Sequence, residues 1–302
     1  MRTARAYAPS IVLAVDADAL RSFGQVFDGV ADAYDEARQG YPPELVDRAL
    51  ARGGLGAGAR VLEVGCGTGK LTELLAARGL EVDALDPGTN MIAAARRRVV
   101  DAPNVTFHVG RFEDAELPAG AYAALFSATA FHWVEPSVGW RKAATVLAPG
   151  GLLALLVHHG VHDGRNADAH LEFRANLATY APALAATLPP DRDLPEILAG
   201  AEGRSANVSE VWDWIMGERR GLAVPEAADL FDDVEVEVRV EDVERTMDEL
   251  TAHIKTTSLY FAIDPDRRDA FIEDDRAIIE RHGGSLQFCE GSFLMTALRR
   301  PA

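Results

Sequence analysis

The stretch Arg60-Val61-Leu62-Glu63-Val64-Gly65-Cys66-Gly67-Thr68-Gly69-Lys70 is a short apolar run followed by glycines at alternate positions. Leu71, Leu74 and Leu75 then fall on one helical stripe, so the order is strand, turn, helix. Glycine has no side chain and tolerates positive φ, which lets a charged or polar ligand approach the backbone at a helix N-terminus. Dinucleotide-binding turns use G-x-G-x-x-G at the same place. Here the spacing is G-x-G-x-G, and Lys70 stands where the third glycine of that pattern would be.

Working outward, Glu81 to Leu85 reads as a second strand that ends at Asp86. A carboxylate there can accept from both hydroxyls of a ribose; its structural alternative is an Asp-Pro-Gly turn. A helix from Met91 to Val100 and strands at Val105–Val109, Ala121–Ser127 and Gly151–Val157 follow. This alternation predicts a Rossmann-like, doubly wound α/β fold with a mainly parallel seven-stranded sheet. Val234–Val240 and Ser285–Leu298 supply the last strands, with Gly283-Gly284 as a hairpin or helix stop. On the other side of the turn, two helices are expected between Phe23 and Leu50, broken at Tyr41-Pro42-Pro43.

After Val157 the alternation stops, and Pro182, Pro189, Pro190 and Pro195 punctuate a helical insertion after the fifth strand. Leu171, Phe173, Leu177 and Tyr180, then Trp212, Trp214, Ile215 and Met216, are expected to pack it on the core. The expected divisions are an N-terminal extension (1–22), a cofactor-binding core (23–157), an insertion forming a lid over an acceptor site (158–233) and a C-terminal completion of the sheet (234–302).

Of the 302 residues, 48% are apolar and 25% charged, which excludes the signature of disorder. A net charge of -17 disfavours a nucleic-acid partner, and Arg96-Arg97-Arg98 is too narrow a basic run to override it. Cys66 and Cys289 form no disulfide framework and no CxxC pair. The apolar run Ile11–Val15 is shorter than a signal or membrane segment, so no membrane span and a cytoplasmic location are expected.

The run Val61 to Gly69, followed by Leu85-Asp86-Pro87 and Met91, resembles the class I S-adenosylmethionine-dependent methyltransferases. Within that class it is similar to the small-molecule branch that includes ubiquinone/menaquinone and trans-aconitate methyltransferases. The resemblance extends through Phe27 to Asp35, Ala37 to Pro42, Phe112-Glu113-Asp114, Ala130 to Trp133 and Leu147 to Gly151. It implies S-adenosylmethionine as cofactor, with Glu63 and the backbone of Gly65, Cys66, Gly67 and Gly69 at its methionine end. It also implies Asp86 on the ribose, Pro87 and Met91 walling the nucleoside, and Phe112 and Glu113 at the adenine edge. Ser127 is implied near the sulfonium, and Tyr34 and Arg38 over the carboxylate. Relatives often carry an acid where Arg111 stands.

A sulfonium methyl is already activated, so the protein's task is to align a nucleophile and exclude water. For a hydroxyl acceptor, His132 is the candidate general base; packing at a strand end is its alternative. Phe131 and Trp133 are candidates for the pocket of a small-molecule methyl acceptor, and His158 for its mouth. His158-His159 with His162 invites a metal, but adjacent loop histidines diverge and no carboxylate or cysteine sits at ligand spacing, so none is expected. Two other functions compete: a non-catalytic cofactor-binding protein of the same fold, and a nicotinamide-dependent oxidoreductase, which should carry glycine at position 70.

Overall fold

The computed structural model describes residues 27–186, 188, 190–217 and 221–301. The expected extension 1–22, with Ile11–Val15, and the start of the first expected helix lie outside the described residues. A 3-10 turn, Phe27–Val30, leads into α1 (Ala31–Ala37) and α2 (Pro43–Arg52). Pro43 opens α2, where its missing N–H has no helical partner to lose. Next come β1 (Arg60–Val64), α3 (Lys70–Ala76), β2 (Glu81–Asp86), α4 (Thr89–Arg98), β3 (Val105–Val109), β4 (Tyr122–Ala128), α5 (Pro136–Val146) and β5 (Leu147–Val161). The sheet runs β3-β2-β1-β4-β5 in parallel. β7 (Ser285–Arg299) then pairs antiparallel with both β5 and the edge strand β6 (Phe231–Thr246).

Both faces of the sheet are covered, which is why its central strands read as nearly continuous apolar runs. Leu152, Ala154 and Leu156 of β5 join Leu45, Leu71 and Ile92 from the helices of one face. Leu153, Leu155 and Val157 join Trp140 and Trp212 on the other. Each such aliphatic side chain contributes roughly 1.5–3 kcal/mol on burial. Among the described residues no helix is long and apolar enough to cross a membrane.

The insertion follows the fifth strand, as expected, but divides its packing between two places. Its later helices α8 (Leu194–Glu202), α9 (Val208–Ile215) and α10 (Ala227–Leu230) belong to the main core through Ile197, Val211, Trp212 and Ala227. Its first long helix, α6 (Ala167–Tyr180), packs instead on α13 (Arg268–Arg281), with Ala169 against Ile278 and Ile279 and Leu177 against Phe271 and Ile272. Ala169, Phe173 and Leu177 are spaced by four and form the inner stripe of α6. Leu171 therefore points outward and is 66% exposed, contrary to expectation. The shorter helices α7 (Pro182–Ala185), α11 (Met247–Lys255) and α12 (Ser258–Phe261) pack on the same helix pair through Leu184, Ile254 and Leu259. Gly283 and Gly284, at φ 103° and 85°, stop α13 before β7.

The fifth strand is longer than its hydrophobic run. β5 continues past its last β4 partner, Ala128↔Leu156, and pairs His158 with Ser292, His159 with Gly291 and Val161 with Cys289. His158 and His159 thus lie on a strand, not in the expected loop. β6 and β7 extend alongside as far as Thr246↔Ser285, so a three-stranded ribbon projects beyond the parallel sheet.

Candidate functional site

A cavity of about 470 Å³ lies where the parallel strands end at their carboxyl sides. Gly65 and Gly67 at its floor take φ of 73° and 53°, and Gly69, expected beside them but packed behind the lining, takes 84°, all in the region that favours glycine. A Cβ on Gly65 would stand 2.2 Å from that of Ala130, and one on Gly69 would stand 3.0 Å from Ala95 of α4. These two glycines let chain pack on chain. A Cβ on Gly67 would meet nothing within 4 Å, so this peptide faces open space and forms a cradle.

Glu63 alternates with Val61 toward the α3 face and is fully buried. Its Oε2 accepts from the Thr72 hydroxyl at 2.7 Å, whereas its Oε1 is buried without a hydrogen-bond partner. Burial pushes this carboxyl up to about 8, against the opposing Thr72 hydrogen bond, and the nearby Asp86 pushes the same way. Asp86 ends β2 and accepts from the Gly67 N–H at 2.9 Å on one oxygen and from the Gly88 N–H at 2.8 Å on the other. Burial raises it to about 6 despite those two hydrogen bonds. Each oxygen retains a lone pair for a ligand hydroxyl. The floor is thus acceptor-rich, and suits a ligand that brings an ammonium and hydroxyls. Cys66 lines the floor with its thiol pushed well up by burial, so it is protonated and inert.

The helix α1 is clamped across this floor through Asp35. Arg98 donates to both its carboxylate oxygens at 2.7 and 2.8 Å, the Thr68 hydroxyl donates at 2.6 Å, and Lys70 Nζ donates to its carbonyl at 2.9 Å. Lys70, at the place of a third glycine, therefore holds the strap to the turn. Asp28 performs a related task at the start of α4, accepting from the Asn90 and Met91 N–H groups at 2.7 and 3.1 Å. Neither aspartate was marked by its sequence pattern, because each partner lies far along the chain.

The other expected cofactor residues divide. Tyr34, Arg38, Pro87, Met91, Phe112 and Glu113 all line the cavity. Arg38, however, donates to the Thr256 hydroxyl at 3.0 Å and to the Thr256 carbonyl at 2.8 Å, with His253 Nε2 at 3.4 Å. Much of its fork thus anchors the end of α11. Glu113 accepts from Arg111 at 2.7 Å and from the Glu135 N–H at 3.0 Å, and Arg111 also faces the cavity. Ser127 is a correction: fully buried, it donates to the Val64 carbonyl at 2.7 Å and staples β4 to β1 outside the cavity lining. Phe131 is another. It packs edge-on to Trp140 with ring centroids 4.9 Å apart and belongs to the core, because the short 3-10 turn Phe131–Trp133 sends successive side chains in different directions.

The remaining cavity wall is assembled from distant segments. His132, buried, and Trp133 face it, and Phe27 packs edge-on to Trp133 at 6.0 Å. His158 stacks on Tyr41 at 4.6 Å, and its Nδ1 lies 2.9 Å from the Ser292 hydroxyl. Burial lowers His158 to about 4, and burial followed by the charges of Arg38 and Arg245 lowers His253 to about 4, so both rings are neutral near pH 7. The Tyr41 hydroxyl meets Thr129 Oγ1 at 2.8 Å, and Thr129 holds a strained φ of 52° directly after β4. Arg245 forks onto Glu290 at 2.9 Å. Thr129, His253 and Glu290 were missed by sequence reasoning, and so was a site role for Tyr41, which stood there as the residue before a helix-breaking proline and within the Ala37 to Pro42 resemblance. Of the aromatic cluster in the insertion, Trp212 is buried and Trp214 is sandwiched between Arg192 and Arg204, at 4.3 and 4.2 Å. Only Met216 reaches the cavity.

Residues 61–151 match the family described as methyltransferase domain. An uncharacterized methyltransferase of Mycobacterium tuberculosis is 38% identical over 136 residues, 45% of this chain and 53% of that protein. The trans-aconitate 2-methyltransferase of Rhizobium meliloti is 33% identical over 181 residues, 51% of this chain and 66% of that protein. The chain thus spans about half the length of the first of these relatives. A solved structure from Anaeromyxobacter dehalogenans, described as a type II methyltransferase, shares the fold with a TM-score of 0.55 at 21% identity, over 87% of this chain and 97% of that one.

Proposed function

We propose, from the class I methyltransferase core that this chain carries, that the protein transfers a methyl group from S-adenosylmethionine to a small-molecule acceptor. The observation that carries this reading is Glu63 Oε1, a buried carboxyl oxygen without a partner beside an open glycine cradle. A dinucleotide offers no ammonium to that position, whereas the methionine end of S-adenosylmethionine does. Asp86 would hold the ribose hydroxyls, Pro87 and Met91 the nucleoside wall, and Phe112 and Glu113 the adenine edge.

When bound, the cofactor supplies a methyl group already activated on its sulfonium. The chain's own work is alignment and exclusion of water. The strap held by Asp35 covers the floor, and Trp133, His158 and Met216 bound the space left for the acceptor. For a hydroxyl acceptor, His132, which lines the cavity, would take the proton. We place the protein in the cytoplasm on the same reading.

The test is calorimetric titration with S-adenosylmethionine and S-adenosylhomocysteine, with NADH as control, followed by a screen of small acceptors with labelled methyl donor. Binding of the sulfonium pair and transfer of label are expected. Binding of NADH alone would replace the reading with a nicotinamide-dependent oxidoreductase, and binding of the pair with no transfer to any acceptor would favour a non-catalytic cofactor-binding protein.

A further inference from the structure

Of the three histidines that the sequence places near the end of β5, two turn to the cavity and the third does not. His162 meets His170 of α6 and Asp191 of the segment before α8, with one ligand atom of each within 4.8 Å of the others. His162 Nδ1 is buried and has no hydrogen-bond partner. The two imidazole rings approach at 6.5 Å in an edge arrangement. Arg174 reaches Asp191 only at 3.5 Å, longer than the ~2.7–2.9 Å of a strong charge-assisted contact.

We propose that His162, His170 and Asp191 form a binding site for a divalent transition metal, zinc in the first instance. The three segments are already tied together without the ion. The His162 N–H donates to the Arg192 carbonyl at 3.0 Å, which fixes the segment carrying Asp191 against the end of β5. Asn166, the residue before α6, donates from its side chain to the Gln287 carbonyl of β7, which fixes the helix carrying His170. Imidazole nitrogens with one carboxylate are a ligand set for zinc and its neighbours, whereas magnesium and calcium take oxygen ligands. Tetrahedral ligands at ~2.0–2.1 Å from zinc stand about 3.3 Å apart, so rotation of side chains closes the present spacing. Three protein ligands leave a fourth position for water.

The ion would stitch the outer end of β5 to the first and middle parts of the insertion. It does not depend on methyl transfer, because none of the three residues lines the cavity.

Equilibrium dialysis against zinc and titration with cobalt test the site in the full chain. One zinc per chain, a visible tetrahedral cobalt spectrum and a melting temperature raised by several degrees at saturation are expected. Asp191→Asn and His170→Gln should each weaken binding by roughly tenfold or more. Asp191 is exposed, so its variant retains the fold, as circular dichroism would verify. No zinc uptake, or uptake of unchanged affinity in both variants, would overturn the proposal.

Discussion

The two halves of the cavity are built in opposite ways. The floor is made of backbone and two carboxylates drawn from residues 63–88, where glycines at alternate positions and two strand ends bring the groups together locally. The outer wall is made of side chains from four remote segments, represented by Tyr41, Thr129, His158 and His253. A local floor tolerates little substitution but can be recognised from a few residues. An assembled wall can change its shape by exchange of side chains, with the floor left as it is.

The largest effect should come from breaking the floor. Asp86→Ala leaves the Gly67 and Gly88 N–H groups without their acceptor and removes the ribose partner, so S-adenosylmethionine affinity should fall by more than ~100-fold in calorimetry. Glu63→Gln comes next, with a loss of about 10–100-fold, the weight of a hydrogen bond to a charged group.

Glu63 also predicts a pH dependence of stability. Its folded value, about 8, lies above its ordinary 4.5, so its contribution is fully present below pH 4.5 and is lost as pH rises through 8. The ligand-free protein should therefore lose on the order of a few kcal/mol across that window, and Glu63→Gln should flatten the thermal-melt profile. Cofactor binding near pH 7 should release a proton, read as a calorimetric heat that changes with the ionisation enthalpy of the buffer.

Effects on the wall should be smaller and should fall on the acceptor. Arg38→Met frees the end of α11 and should raise the acceptor KM by roughly tenfold, while cofactor affinity changes by less than about threefold. Tyr41→Phe removes one hydroxyl contact with Thr129 and should cost about 0.5–1.5 kcal/mol in chemical denaturation, with little change at the floor. Comparable losses of cofactor affinity in the Arg38 and Asp86 variants would erase the distinction between the halves.

The same contrast explains what could be read in advance. The fold and the turn were legible because strand, glycine and helix periods are local, and Asp86 follows from its place at a strand end. Ser127 was misplaced because it is still paired within β4, with its hydroxyl spent on Val64, and Phe131 because a strand period does not say which side chain after the last pair turns into a cavity. The length of β5 was hidden by Gly160 and two histidines, which pair well with β7 but break an apolar run. His162 could not be matched to His170 and Asp191, because one partner lies across a turn and the other beyond two helices.

The ribbon of β5, β7 and β6 has a mechanical consequence. Its β5–β7 ladder runs unbroken out of the parallel sheet, and the β6–β7 ladder, past one bulge between Asp232 and Glu235, carries on toward α11 and α13. A continuous ladder transmits bending stiffly and resists a swing, whereas the strap across the floor is fastened by separate contacts of Asp28, Asp35 and Arg38. The outer helices therefore act as a fixed seat for the N-terminal helix, to which Arg38 ties its end while Asp35 ties its middle to the floor.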